Sequence, residues 1–331
     1  MLLGILTLAA AHGFTQEPFV SSCGEDAQVD PAKRKIIDSV AINFAQTMLG
    51  DTPSAAFDLM SKAGQATTTR QQLAEIATAI LQRFEPRDLS VQHTYLIGLK
   101  GKSPGRVICA TNVSKPDGWV SLAADNVPEQ AHVLLSADMR NNKLAFVVWL
   151  VPEQSKWKVQ SFHFNVSTLA DKDSFQLWQL ARAQQDRQHS FNAALLYTTA
   201  AQTAERGPSF QLGVTPSISE DMSRLALPDE LKGPPPFLWK DGESTYRVKN
   251  VAPIAIAGKI YVMIVHEVSP WQNDAQVDAW NKDLLKCFKR HFPEYSDVFA
   301  GLVARATERG SNRGFGTVEE LSPEGQGPTA H

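Results

Sequence analysis

The chain has 331 residues, room for about two domains at roughly 150 residues each. Hydrophobic residues make up 43% and charged residues 20%, the balance of a globular protein rather than a disordered one. The net charge is −3 with basic residues scattered, which gives no basic surface for nucleic acid or for an anionic membrane.

The first fourteen residues, MLLGILTLAAAHGF, are apolar for about a dozen positions, whereas a bilayer span takes about 20. They fit a signal-peptide core with Ala11-His12-Gly13 as the cleavage site, although the usual Lys or Arg before the core is missing. The other reading is a buried N-terminal strand or helix. Export, to the periplasm or the medium, is the expectation, and no other window is apolar enough to span a membrane. Val20-Ser21-Ser22-Cys23 resembles a bacterial lipobox, in which Cys23 would be lipidated and become the first residue. Gln16, Glu17 and Pro18 interrupt the apolar core just ahead of it. Residues 1–30 thus read as signal peptide and leader.

Helical periodicity begins at Pro31, with Ile36, Ile37, Val40, Phe44 and Met48 along one stripe to Leu49. Gly50-Asp51 ends it. Thr52-Pro53 opens a second helix carrying Ala56, Phe57, Leu59 and Met60. A third starts within Thr67–Arg70, buries Leu73, Ile76, Ala77, Ile80, Leu81 and Phe84, and stops at Pro86. The period then falls to 2. Strands are predicted at Val91–Leu99, Arg106–Val113, Gly118–Ala123, Ala131–Met139, Leu144–Val151 and Trp157–Val166, with turns at Gly101–Gly105, Pro116-Asp117-Gly118, Asn141-Asn142 and Gln154-Ser155. Leu144–Val151 is apolar on both faces, as a covered central strand should be.

Three helices followed by a long meander resemble the nuclear transport factor two-like superfamily, a cone-shaped α+β fold shared with many small secreted bacterial domains. Phe44 and Leu49-Gly50-Asp51, Ala55-Ala56-Phe57 and Ser61, and Lys156-Trp157-Lys158-Val159 carry the resemblance, over about residues 32–169. It implies N-terminal helices packed on a curved antiparallel sheet, with pairing of two copies through that sheet. It is nearly silent on function.

In 170–206, Leu177, Leu180, Ala181, Ala193, Tyr197 and Ala200 resemble one tetratricopeptide-like helical hairpin, with Gln184 where an aromatic is usual and Pro208 placed late. A single repeat cannot form a solenoid, so packing on the sheet or on the C-terminal region is expected, with a peptide groove as the other use. Residues 207–245, rich in Pro and Gly, read as an extended surface linker. A smaller α+β region follows at 246–318: strands Tyr246–Ile256 and Lys259–Val268, a helix on Val277, Trp280, Leu284, Cys287 and Phe288, and another helix on Tyr295, Val298, Phe299, Leu302, Val303 and Ala306. Residues 319–331 read as a tail.

Three cysteines do not make a disulfide framework. Cys109 and Cys287 read as buried small hydrophobes, and a bridge between them would tie the two halves of the chain together. The eight histidines lack metal-ligand spacing, and His266 at a strand end reads as hydrogen-bonded. Nucleotide-loop and nucleophile-elbow signatures are missing. Gly310–Gly316 reads as a turn, so neither metal nor cofactor is expected. The period-2 rule puts Trp157, Val159, Ser161, His163 and Asn165 on one face. With Asp138, His93 and Tyr95 they would line the cone, where a His163–Asp138 pair within hydrogen-bond reach could do acid–base work. The resulting expectation is a secreted or periplasmic, non-catalytic binding or interaction protein for a small apolar ligand or a protein partner. The alternatives are a small-molecule hydrolase or isomerase acting in the cone, and a peptide-binding adaptor using the hairpin.

Overall fold

A computed structural model describes residues 20–271, 273–311 and 313–321. The signal-peptide segment and the tail beyond 321 lie outside the described residues. Strand β1 (Val20–Glu25) stands where a leader was expected. Helix α1 (Pro31–Leu49) starts where the Asp30 carboxylate accepts the Lys33 N–H, with Pro31 in the first turn, and buries Ile37, Ala41, Phe44 and Met48. A 3-10 turn at Pro53–Leu59 leads to α2 (Lys62–Thr67) and α3 (Arg70–Phe84), the last opened by a reciprocal Thr69–Gln72 cap.

The meander follows: β2 (Arg87–Lys100), β3 (Arg106–Ala110), β4 (Trp119–Ala123), β5 (Glu129–Asp138), β6 (Lys143–Glu153) and β7 (Lys156–Val166). Four of these strands form one antiparallel sheet with β1, in the order β1-β2-β5-β6-β7. Phe44, Met48, Leu73 and Ile80 of the helices pack on Val133, Phe146, Leu150 and Val159 of its inner face. Removing this apolar surface from water is the main stabilising term, at roughly 25 cal/mol per Å².

A short hairpin, β8 (Thr168–Leu169) with β9 (Lys172–Asp173), leads into α4 (Ser174–Asp186) and α5 (Ser190–Ala204). Strand β10 (Phe210–Leu212) and α6 (Val214–Arg224) come next. Then β11 (Phe237–Asp241), β12 (Ser244–Ile256), β13 (Lys259–Val268), α7 (Asp274–His291), β14 (Gly301–Glu308) and β15 (Gly314–Glu320) form the last unit. Its sheet runs β11-β12-β13-β14-β15, parallel only between β13 and β14, which α7 connects.

Several expectations change. The surface linker at 207–245 is structured: β10 pairs with β4, α6 buries Val214 and Ile218, and Trp239 of β11 is in the core. The second C-terminal helix is instead a 3-10 turn (Pro293–Asp297) followed by β14. An apolar run buried on both faces suits a central parallel strand as well as a helix. Gly301 decides for close strand packing, because a Cβ there would lie 2.4 Å from the Glu319 carbonyl oxygen. The hairpin offers no groove along α5, where eleven of fifteen residues are buried between the two large sheets.

The outer face of the first sheet, expected to pair two copies, is partly covered by the chain itself. Sheet β10-β4-β3 covers the outer face at Tyr95, Ile97, Leu99 and Val147, and the end of α5 covers β7. Cys23 and Cys109 form a disulfide that ties β1 to β3, with Cα atoms 5.5 Å apart. This occupies the sulfur that lipidation of Cys23 would need, and it leaves Cys287 free and buried rather than bridged to Cys109. Among the described residues no helix is long and apolar enough to cross a membrane.

Candidate functional site

One extra residue in β7 sets the layout of the candidate site. Leu150 of β6 pairs with Val159, and the next residue back, Trp149, pairs with Ser161. Gln160 is therefore a bulge, and the side chains change face across it. Trp157 and Val159 face the helices before the bulge, and Phe162, Phe164 and Val166 do so after it. Ser161, His163 and Asn165 point to the outer face. The single face expected for Trp157 through Asn165 does not exist.

The centre of the space beneath the helices is filled by the chain itself, with an opening of about 400 Å³ left at the edge between α1 and the start of β7. The rings of Phe44 and Phe162 lie 5.2 Å apart and those of Phe146 and Phe164 6.2 Å apart, over buried Leu150 and Val159. Of the eight residues expected to line that space, Trp157 and Val159 face it and Ser161 faces outward; the other five are elsewhere, in three groups. Asp138, exposed at the end of β5, pairs with Lys143 at 3.6 Å. It is not the partner of His163, because β5 and β7 are separated by β6. His163 sits against Gly207, where a Cβ would lie 2.4 Å from its ring, and its Nε2 is 4.0 Å from the Glu205 carboxylate. Burial holds its pKa below the ordinary value, Glu205 opposes this and Arg206 adds to it. Asn165 donates to the carbonyl oxygens of Gln202 and Glu205. These contacts dock the end of α5 on β7.

His93 and Tyr95 form the third group, with Glu25 and Asp26 at the end of β1. His93 Nδ1 is 2.8 Å from Asp26 and 3.3 Å from Glu25. Burial, then the Glu25 carboxylate, pushes the Tyr95 phenol up. The donor atoms of Glu25, Asp26 and His93 lie within 4.8 Å of one another, a spacing that suits a divalent cation. Arg34, 3.0 Å from Asp26, already neutralises part of that charge. His266 is buried and bonded to Asn281 at 2.7 Å, so its role is to hold α7 on β13.

Two open spaces flank the docked end of α5. A cleft of about 560 Å³ lies at the seam between α3, the end of β7, α5 and β12. Ile80, Phe84, Phe164 and Leu169 give it an apolar floor, with Asn165 and Gln202 at its rim. A second cavity of about 440 Å³ lies between the 205–208 turn, β10 and the start of α6. Arg106, Arg206, Gln211 and Thr215 are on its wall. Sequence reading missed both, because each is assembled from segments far apart in the chain. No family model matches the chain, and neither a curated protein nor a solved structure is found to be similar to it.

Proposed function

We infer that this is an exported, non-catalytic binding protein that takes a small apolar molecule in the seam cleft. The observation that carries the reading is the contrast between two spaces. The interior beneath the helices is packed with phenylalanine and aliphatic side chains, while the seam holds an apolar-floored cleft of about 560 Å³, within the size range of small-molecule sites. A hydrolase or isomerase working inside the cone would need the space that Phe44, Phe146, Phe162 and Phe164 occupy. A peptide groove on the hairpin would need the face of α5 that is covered.

The order of three helices and a meander supports membership of the nuclear transport factor two-like superfamily, as does the parallel bridge from Met60 to Val159. The Cys23–Cys109 bridge supports export, since disulfides persist in oxidising compartments.

The test is fluorescence of the neutral apolar probe 1-N-phenylnaphthylamine. Emission should rise on mixing with the protein and fall back with Ala79→Trp, which fills the cleft from an exposed position on α3. A flat titration, or a rise that Ala79→Trp leaves intact, would sink the reading.

A further inference from the structure

We propose that the cavity at the C-terminal end of α5 binds a small oxyanion, the carboxylate or phosphoryl group of an organic molecule, with Arg206 as its buried counter-charge. The site is separate from the seam cleft and does not rest on it.

Arg206 is 7% exposed and lines the cavity. Its Nη1 donates to the carbonyl oxygens of Thr203 and Glu205, at 2.6 and 2.8 Å. Its Nε is buried and has no partner. No carboxylate reaches ion-pair distance of this guanidinium among the described residues. Burial lowers its pKa to about 10, with Glu205 and then Asp173 opposing the shift, so the group stays charged at neutral pH. A buried charge without a counter-ion is costly. A ligand anion would offset that cost.

The opposite wall provides independent support. Thr215 Oγ1 is buried and also unpartnered. Five buried side-chain polar atoms lack a partner among the described residues, and two of the five belong to residues that line this one cavity. Thr215 is the second residue of α6, an eleven-residue helix. The first-turn N–H groups of a helix lack intrahelical acceptors, and its dipole favours negative charge there.

Arg106 adds a second cation. It is held in place by bonds to Ser121 Oγ, Ser121 O and Pro208 O. Glu205 is the carboxylate on the cavity wall, and its Oε1 is already engaged by the Gly207 N–H. Two arginines, Thr215 and the start of α6, whose Val214 and Thr215 N–H groups are its first donors because Pro216 has none, thus border a space larger than a bare phosphate needs, which leaves room for the organic part of the ligand.

Titration calorimetry of the full chain in Tris-chloride, with inorganic phosphate and with succinate as probes, tests this. At least one probe should bind with a dissociation constant of about 1 mM or tighter. Thr215→Val, which keeps the side-chain shape, should weaken it about three- to tenfold. Arg206→Gln should abolish it. Phosphate binding alone would assign a phosphoryl group, and succinate alone a carboxylate. Should Arg206→Gln fail to fold, the Arg206 Nε–H resonance of the wild-type protein serves instead and should shift on adding the bound probe. No binding by either probe to about 10 mM would overturn the proposal. So would binding that leaves the Nε–H resonance in place and is indifferent to Thr215→Val.

Discussion

His132 lies between the two sheets of the first unit, with no exposed surface and its ring stacked on Trp149. Its Nε2 is 2.9 Å from the Ala123 carbonyl oxygen, which can only accept, so Nε2 carries the proton. Nδ1 is buried without a partner. A second proton would go to Nδ1 and find no acceptor. Burial therefore lowers the pKa from 6.5 to about 4, the Ala123 bond working against this and Arg106 adding to it. Because the folded value lies below the unfolded one, the unfolded chain binds more protons between the two. The stabilisation is complete above the unfolded value of 6.5 and is lost as pH falls from there through about 4. Urea unfolding at about pH 7.5 and pH 5.0 should differ by about 2 kcal/mol from this group alone. His132→Gln, whose amide can still donate to Ala123, should flatten the dependence. His163 and His266 are shifted in the same direction, so part of the slope should remain. A slope unchanged by His132→Gln would show that the group titrates normally. Ala131 and Val133 pack under the helices, so alternation places His132 on the opposite face. The sequence did not reveal that a second sheet covers that face, since its third strand comes from residues 210–212. The same distance in sequence hid Arg206, which looks like an ordinary exposed residue after a helix until β10 and α6 close over it.

At the level of elements, α1, α3, the hairpin helices and α7 were legible because their signals are local, whereas α6 and the segment that forms β14 were not. Asp30 before Pro31, and Thr69 three residues before Gln72, mark starts that need no tertiary contact. Most strands of the meander were legible from period 2 and turn chemistry. The bulge in β7 was not read, although a signal for it exists. Trp157 and Val159 are two apart, Phe162, Phe164 and Val166 are two apart, but Val159 and Phe162 are three apart. That phase shift places one extra residue between them. The error mattered, since a slip of one residue exchanges the two faces, and it put His163 and Asn165 inside the cone. The bulge makes a sharp comparison available. Gln160→Ala keeps the extra residue and removes two bonds, from Ser61 Oγ and to Asp125, so it should cost about 1–2 kcal/mol. Deleting Gln160 should turn Phe162, Phe164 and Val166 away from Phe44 and abolish the cooperative unfolding transition seen by near-ultraviolet circular dichroism. A deletion variant that unfolds cooperatively would mean that β7 tolerates either register.

The whole molecule does not divide where the composition changes. Dividing the chain at residue 169 separates β4 from β10, its partner in the outer sheet, and β7 from the end of α5. A linear reading looks for boundaries in Pro- and Gly-rich stretches, yet here such a stretch supplies a strand that finishes the first unit and a helix that packs on the hairpin. At the other end, β1 belongs to that unit although it lies in the segment taken for a leader. Among the described residues β1 pairs only with β2, so the Cys23–Cys109 bridge is its second attachment, running to the covering sheet. The bridge closes a loop of 86 residues. A constraint of that length on the unfolded chain is worth about 4.6 kcal/mol in the chain-entropy account, with 2–4 kcal/mol typical of measurement. Cys109→Ser should therefore lower unfolding stability by about 2–4 kcal/mol, and reduction of the wild-type protein should do the same. Thiol alkylation followed by mass spectrometry checks the pairing directly. The native protein should take no label, because Cys287 is buried and burial pushes its thiol pKa up. The denatured, unreduced protein should take one label, at Cys287. After reduction all three cysteines should react. Three labels before reduction would show that β1 is held by its ladder with β2 alone, and would remove the argument for an oxidising compartment together with the bridge.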